Sequence, residues 1–216
     1  MAARGQRLRL RALLALPPAK AARALIGCVL VRRVRGQVLE ARIVEAEAYL
    51  GVGDPAAHVH RGRTPRTAPL FGRPGTLYVY FVYGMHHCLN LAVDVPGTPG
   101  CVLIRAAEPL AGSGLLPTSL SGPGRLCRTL EIDTRLSGRH LFEAGAPLTL
   151  RAGARPGRVA VSRRVGIRKA AERRLRFFDA ASPAVSAHRG AGISSRSGRR
   201  RAVRPRARPT AKRGSP

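Results

Sequence analysis

Gly75-Thr76-Leu77-Tyr78-Val79-Tyr80-Phe81-Val82-Tyr83 is a continuous run of residues that favour β-strands. Similar runs follow at residues 89–95 and 101–106. Several short apolar runs separated by turn-forming residues are typical of strands that pair with their neighbours along the chain. The sequence therefore predicts an α+β fold, a single domain around a curved, mostly antiparallel β-sheet with surrounding helices.

Two strand-like runs also precede this stretch, and they are broken at Arg35-Gly36 in the manner of a hairpin. The second run extends as far as residue 49. Because side chains alternate along a strand, four residues of this run are predicted to share one face, namely Ile43, Glu45, Glu47 and Tyr49. Two carboxylates and a tyrosine beside an aliphatic residue are an unusual combination for one strand face.

The charge of the chain is strongly positive. Thirty-nine Lys and Arg residues against 11 Asp and Glu residues give a net charge of +28. A polyanion such as the phosphate backbone of a nucleic acid neutralises such a charge. A membrane surface is the other anionic candidate, but no apolar run approaches the roughly 20 residues of a spanning helix. We therefore expect nucleic acid, and no membrane, as the partner.

The two ends of the chain have different compositions. Residues 1–24 contain a short apolar core followed by Pro17-Pro18, which favours an amphipathic N-terminal helix over an export signal. From residue 189 onward there are ten basic residues and no acidic one. A segment of this composition has too little apolar surface to bury, so it cannot offset the conformational entropy that the chain loses on folding. The sequence predicts a folded domain at residues 1–188 and a basic disordered tail at residues 189–216.

The cysteines indicate a cytoplasmic protein, associated with the nucleoid if its partner is DNA. The four cysteines are scattered, without the spacing of a zinc site, and are expected to be reduced and mostly buried. His58 and His60 have no third ligand at a sensible spacing. No phosphate-binding glycine loop is present, so neither a metal nor a nucleotide cofactor is predicted.

All four tyrosines lie between Tyr49 and Tyr83, in a chain without Trp. An enzyme that acts on a base in duplex DNA must rotate the nucleotide out of the stack and hold the base between flat side chains. Tyrosines also fill strands simply as core residues, so core packing is the alternative. Since Tyr80 and Tyr83 are three positions apart, a regular strand would point them to opposite faces.

Glu47 is the candidate general base. Hydrolysis of an N-glycosidic bond requires a deprotonated water and negative charge beside the developing oxocarbenium ion, and a carboxylate supplies both. Glu45 competes for this role on the same grounds. Each could instead form an ordinary ion pair with Arg42 or Arg105.

Five blocks of the chain, in order, resemble the alkyladenine (3-methyladenine) DNA glycosylase family over roughly residues 20–185. They are residues 42–51, 71–90, 102–110, 121–127 and 164–167. The resemblance implies that Glu47 activates the attacking water, helped by Arg105 and the backbone carbonyl of Val165. It also implies that the flipped base is enclosed by Tyr49, His58 and Tyr80. Asn90 would lie at the floor of the pocket and disfavour the amino group of normal guanine, and Tyr83 would insert into the duplex.

The resemblance further implies a monomeric, monofunctional DNA glycosylase of base excision repair that needs no cofactor. Its expected substrate is double-stranded DNA containing alkylated purines, 3-methyladenine and 7-methylguanine, with deaminated hypoxanthine as a further candidate. Water, and no lysine amine, is then the nucleophile. The alternative from another class is a non-catalytic nucleic-acid-binding protein with a tyrosine-lined base pocket.

Overall fold

The strands of this protein form one antiparallel sheet around a long central strand. A computed structural model describes residues 2–186. Within that range it contains eight strands, β1 (Val29–Val34), β2 (Gln37–Tyr49), β3 (Leu77–Val82), β4 (His86–Val93), β5 (Gly100–Pro109), β6 (Leu148–Arg151), β7 (Val159–Ser162) and β8 (Arg176–Asp179). The main order is β3-β4-β5-β2-β1-β6, with β8 on β2 and β7 on β8.

Three helices accompany the sheet in the same range, α1 (Ala2–Leu14), α2 (Pro18–Leu25) and α3 (Pro123–Thr129). All strand pairings are antiparallel, so the predicted α+β fold is confirmed. The predicted N-terminal helix is present as α1. None of the helices between residues 2 and 186 has both the length and the hydrophobicity needed to cross a bilayer. The tail predicted at residues 189–216 lies outside the described range.

The predicted hairpin at Arg35-Gly36 is present between β1 and β2. Both turn residues have positive φ, 50° at Arg35 and 74° at Gly36. A two-residue turn of this kind matches the right-handed twist of the strands that it joins. The turn sets the register of β1 against β2, in which Val34 lies opposite Gln37.

Strand β2 has different neighbours along its length. Its first half pairs with β1 and its last residues pair with β8, while β5 lies along its other edge. The pairing of β2 with β5 shifts register twice between Ile43 and Ala46. Such an irregularity changes the phase of the alternation, so Ile43 packs in the main core with Ala46 and Ala48. The prediction that Ile43 shares a face with Glu45 and Glu47 is therefore wrong.

The core lies between the sheet and its three helices. In α2, residues spaced three to four apart are buried, as expected of one helix face, and they are Pro18, Ala21, Ala22 and Leu25. The prolyl ring stands in the first turn, where a missing N–H costs nothing. This helix packs on β2, β5 and β8 and so fixes the strands that carry the charged residues of the site.

Two irregular segments join β2 to β3 and β3 to β4. The segment between β2 and β3 consists of turns and a 3₁₀ helix, Ala68–Phe71. The second is the turn after β3, because that strand ends at Val82. Tyr83 adopts a φ of 54° in this turn. Its direction therefore comes from the turn geometry, and the prediction based on strand alternation is wrong.

Candidate active site

A cavity of about 400 Å³ opens between β3, β4, β5 and the loop that follows β2. This volume lies within the range of small-molecule sites, roughly 300–1,000 Å³. Seven of the eight predicted site residues line it, namely Tyr49, His58, Tyr80, Tyr83, Asn90, Arg105 and Val165. The eighth, Glu47, is fully buried and lies behind the wall, in contact with three of the lining residues.

Aromatic rings form one wall of the cavity. The His58 and Tyr80 rings are 4.5 Å apart and inclined at 73°, and the Tyr78 and Tyr80 rings are 5.5 Å apart. His58 Nδ1 lies 2.9 Å from the Tyr78 hydroxyl. Burial lowers the pKa of His58, and the charge of Arg66 lowers it further. The imidazole is therefore neutral at physiological pH.

Asn90 and two thiols lie at the inner end of the cavity. The Asn90 side-chain nitrogen donates to the backbone carbonyls of Tyr78 and Cys88, at 3.2 Å and 3.4 Å. The Cys101 thiol is 3.9 Å from the Asn90 side-chain oxygen, and burial raises the pKa of Cys101 to about 12. The inner end is therefore uncharged, with an amide held in a fixed orientation. All four cysteines are free and buried.

Glu47 is held by three contacts. Its Oε1 accepts from the backbone N–H of Val165 at 2.7 Å and lies 3.4 Å from Arg105 Nη1. Its Oε2 accepts from the Tyr49 hydroxyl at 3.1 Å. Burial raises the pKa of Glu47 despite the opposing effects of Arg105 and the two hydrogen bonds. A carboxylate has about four acceptor sites, so Glu47 retains capacity for a water molecule.

Glu45 differs from Glu47 in its surroundings. Its Oε1 accepts from Arg105 Nε at 2.9 Å, Arg176 Nε at 2.6 Å and the Ser186 hydroxyl at 2.9 Å, and its Oε2 accepts from the Ser186 N–H at 2.7 Å. Three of these donors converge on Oε1, and both arginines form ion pairs with Glu45. Burial opposes ionisation, but the two arginines and Ser186 lower the pKa of Glu45 below its usual value. The raised pKa of Glu47 and the lowered pKa of Glu45 make Glu47 the better candidate for a general base.

Arg164 and Asp54 join the loop after β2 to the segment after β7. Both side chains are completely buried, and Arg164 Nη2 donates to Asp54 Oδ1 at 2.9 Å. Arg164 also donates to the Ala48 carbonyl at 3.1 Å, and its guanidinium lies 4.6 Å from the centre of the Tyr49 ring. This ion pair fixes Val165, whose N–H reaches Glu47. It is the N–H of Val165 that contacts Glu47, whereas the family resemblance implies a role for the Val165 carbonyl.

The turn between β3 and β4 presents apolar side chains beside the cavity. Tyr83, Met85 and Phe81 are 81%, 67% and 49% exposed. Tyr83 also lines the cavity. Large apolar side chains exposed together are characteristic of surfaces that contact a partner.

The two loop histidines bind different partners. His58 contacts the Tyr78 hydroxyl, and His60 Nδ1 lies 2.9 Å from the Val52 carbonyl. Among residues 2–186, no group of three or more His, Cys, Asp or Glu side chains is arranged to hold a metal ion.

Comparison with known proteins identifies the family. The model of a family described as methylpurine-DNA glycosylase (MPG) matches residues 12–183. Relatives named "Putative 3-methyladenine DNA glycosylase" include one from Chlorobium phaeovibrioides, 41% identical over 181 residues, which cover 79% of this chain and 92% of the relative. One from Synechococcus elongatus is 44% identical over 81% and 88% of the two chains, and one from Methanocella arvoryzae is 40% identical over 79% and 91%. The predicted resemblance and enzyme class are thereby confirmed, and the chain belongs to the methylpurine-DNA glycosylase family.

Proposed function

We propose that this protein is a monofunctional glycosylase that rotates a damaged purine out of duplex DNA and hydrolyses its N-glycosidic bond, as the first step of base excision repair. We propose 3-methyladenine and 7-methylguanine as substrates, with hypoxanthine as a further one, and action as a monomer on the DNA of the nucleoid. The observation that carries the proposal is the buried carboxylate of Glu47, which touches three residues lining a cavity of the size of small-molecule sites.

In this proposal Tyr49, His58 and Tyr80 enclose the extruded base. An alkylated purine carries positive charge, which strengthens its attraction to the faces of electron-rich rings. His58 is neutral because burial lowers its pKa, and so it does not repel such a base. The fixed Asn90 amide, held by the Tyr78 and Cys88 carbonyls, would disfavour the amino group of guanine. 7-Methylguanine keeps this group, so its binding depends on the attraction of its positive charge to the rings.

The proposed chemistry is direct hydrolysis. A water molecule bound to Glu47 attacks C1′ of the deoxyribose, Glu47 takes the proton, and the C1′–N bond breaks with its electron pair passing to the purine. A cationic purine leaves as a neutral molecule, so alkylation improves the leaving group. The raised pKa makes Glu47 a stronger base, and its negative charge stabilises the oxocarbenium-like transition state.

Arg105 and Val165 support the same step. The Arg105 guanidinium and the Val165 N–H both contact Glu47 Oε1, which directs Oε2 and the remaining acceptor capacity toward Tyr49. The Tyr49 hydroxyl uses one acceptor site of Oε2, which leaves the other for an entering water. A contribution of the Val165 carbonyl to binding this water remains part of the proposal.

Tyr83 is proposed to fill the space that the extruded base leaves in the duplex. It stands at the end of a hairpin, is 81% exposed and lies at the edge of the cavity. Insertion of an apolar side chain between base steps offsets part of the cost of unstacking. The positive charge of the chain supplies the attraction to phosphates that is independent of sequence.

Product analysis tests this function. Duplexes that each contain 3-methyladenine, 7-methylguanine or hypoxanthine are incubated with the protein, and free base and strand length are measured separately. We expect free base, with strands that remain intact until the abasic site is cleaved by alkali. Borohydride should trap no covalent protein–DNA adduct, because no amine attacks the sugar.

The other outcomes are equally specific. Binding of damaged duplex without release of any base would contradict the proposal and favour a non-catalytic binding protein. Release of hypoxanthine alone would show an enzyme selective for deaminated purines. Cleaved strands before alkali treatment would contradict the monofunctional mechanism.

A further inference from the structure

A second buried carboxylate lies behind the proposed catalytic group and is not used by the mechanism. Glu45 is fully buried and receives four hydrogen bonds, two from guanidinium groups and two from Ser186. These donors belong to β5, to β8 and to the segment after β8. Glu45 is thus the point at which three separate parts of the chain meet.

Arg105 is contacted on three of its nitrogens. Its Nε donates to Glu45 at 2.9 Å, its Nη1 lies 3.4 Å from Glu47, and its Nη2 donates to the Ser186 hydroxyl at 3.4 Å. A planar guanidinium that is bound along several edges has little freedom to rotate. The Glu45 and Ser186 contacts therefore determine where Nη1 stands relative to Glu47.

Arg176 depends on the same carboxylate. Its Nε is 2.6 Å from Glu45 Oε1, and its other hydrogen bonds are to the neutral oxygens of the Ser162 hydroxyl and the Ser186 carbonyl. Its guanidinium also lies 4.7 Å from the centre of the Phe178 ring. The Arg176 side chain is 5% exposed. If Glu45 were neutral, Arg176 would lose its ion pair, and Arg105 would keep only its ion pair with Glu47.

We propose that Glu45 is a positioning residue of the base-release reaction, which holds the Arg105 guanidinium against Glu47 and balances the charge of Arg176. This inference rests on the proposed function. Ser186 takes part, because it binds both Glu45 and Arg105 through its hydroxyl. The segment after β8 is then a support of the active site, in addition to completing the fold.

The test is Glu45→Gln, measured by single-turnover release of 3-methyladenine from duplex across a range of pH. Displacement of a reacting group by about 1 Å costs on the order of 100-fold in rate. We expect the rate to fall about 10- to 100-fold while binding of damaged duplex changes little. The acid limb of the pH–rate profile should move to lower pH, because Glu45 no longer offsets the two cations beside Glu47.

The position of the acid limb depends on every charged or titratable group near Glu47. The charged and titratable neighbours are Glu45, Tyr49, Cys88, Arg105, Arg164 and Arg176. Glu45→Asp should restore the position of the acid limb, because the charge is retained. Its rate should stay below that of the native protein, because the shorter side chain holds Arg105 less closely.

Asp179→Asn is the matched control. Asp179 is a buried carboxylate that forms an ion pair with Arg42, also between β2 and β8, at 2.9 Å. Its loss should lower the melting temperature without changing the rate per folded molecule or the acid limb. A similar change of the pH profile in Asp179→Asn would overturn the proposal, since it would show a general effect of weakening these strands.

Failure of the proposed function and failure of the positioning role of Glu45 give different results. Native protein that releases no base would contradict the proposed function, whereas active native protein with an unchanged Glu45→Gln rate and acid limb would overturn this inference alone. If Glu45→Gln does not fold, Ser186→Ala decides. We expect a several-fold slower rate with little loss of stability, and an unchanged rate would overturn the proposal.

Discussion

Asp54→Asn should cause a large loss of stability, because it leaves Arg164 charged and buried. Both side chains of this ion pair are completely inaccessible to solvent. Removal of one partner from a buried ion pair typically costs about 3–5 kcal/mol. The N–H groups of Leu50 and Ala56 donate to different oxygens of Asp54, and an Asn side chain, with a single oxygen, can accept from only one of them. The predicted loss therefore combines the unpaired guanidinium of Arg164 with one backbone N–H that loses its acceptor.

Thermal unfolding followed by circular dichroism measures this loss. For a protein of this size, each kcal/mol changes the melting temperature by about 2–4 °C. A loss of 3–5 kcal/mol thus corresponds to a decrease of roughly 6–20 °C. Glu131→Gln is the control, because its ion pair with Arg35 is exposed, with 40% and 79% of the two side chains accessible. Exposed pairs contribute at most about 1 kcal/mol.

The pH dependence provides a second check on the same variant. Burial opposes ionisation of Asp54, but Arg164 and the backbone N–H groups lower its pKa below the usual value. A carboxylate with a lowered folded-state pKa stabilises the protein at neutral pH, and this stability is lost as the pH falls through that pKa. The difference between native protein and Asp54→Asn should narrow in acid. A decrease of less than about 2 °C at neutral pH, or a difference that widens in acid, would refute the reasoning.

Three other predictions concern binding and catalysis. Tyr83→Ser should weaken binding to damaged duplex more than to single strands in a titration, because insertion offsets unstacking only in a duplex; equal losses would argue against insertion. Tyr49→Phe should move the acid limb of the pH–rate profile to higher pH, since the hydroxyl lowers the pKa of Glu47; an unmoved limb would exclude this coupling. Removal of residues 189–216, which contain ten basic residues, should flatten the salt dependence of affinity, and an unchanged slope would show that they do not bind DNA.

Features set by neighbouring residues could be predicted from the sequence. The turn at Arg35-Gly36 follows from local preferences alone, and it lies where predicted. The sheet follows from strand-like runs that pair with nearby runs. The irregularity of β2 at Val44 could not be predicted, because it arises from the register against β5, a strand some 60 residues away in the sequence. Alternation along β2 alone therefore placed Ile43 on the wrong face.

In the candidate site, too, residue types could be predicted from the sequence, whereas contacts between distant residues could not. The aromatic and acidic residues of the cavity stand out by type, and the structure brings the predicted ones together. The supporting ion pairs are formed by arginines that the sequence does not distinguish from the many other basic residues of the chain. Arg164 meets Asp54 across 110 positions, and Arg176 meets Glu45 across 131. A sequence without coordinates gives no sign of which arginine will be buried beside which carboxylate.

The most direct test of the central claim is single-turnover release of 3-methyladenine from duplex DNA by native protein and by Glu47→Gln. Loss of a general base typically costs about 100- to 10,000-fold in rate. We predict that the rate of release falls at least about 100-fold, while the variant binds the same duplex as tightly as native protein. Glu47→Gln that releases the base at the native rate would contradict the claim that this carboxylate activates the water.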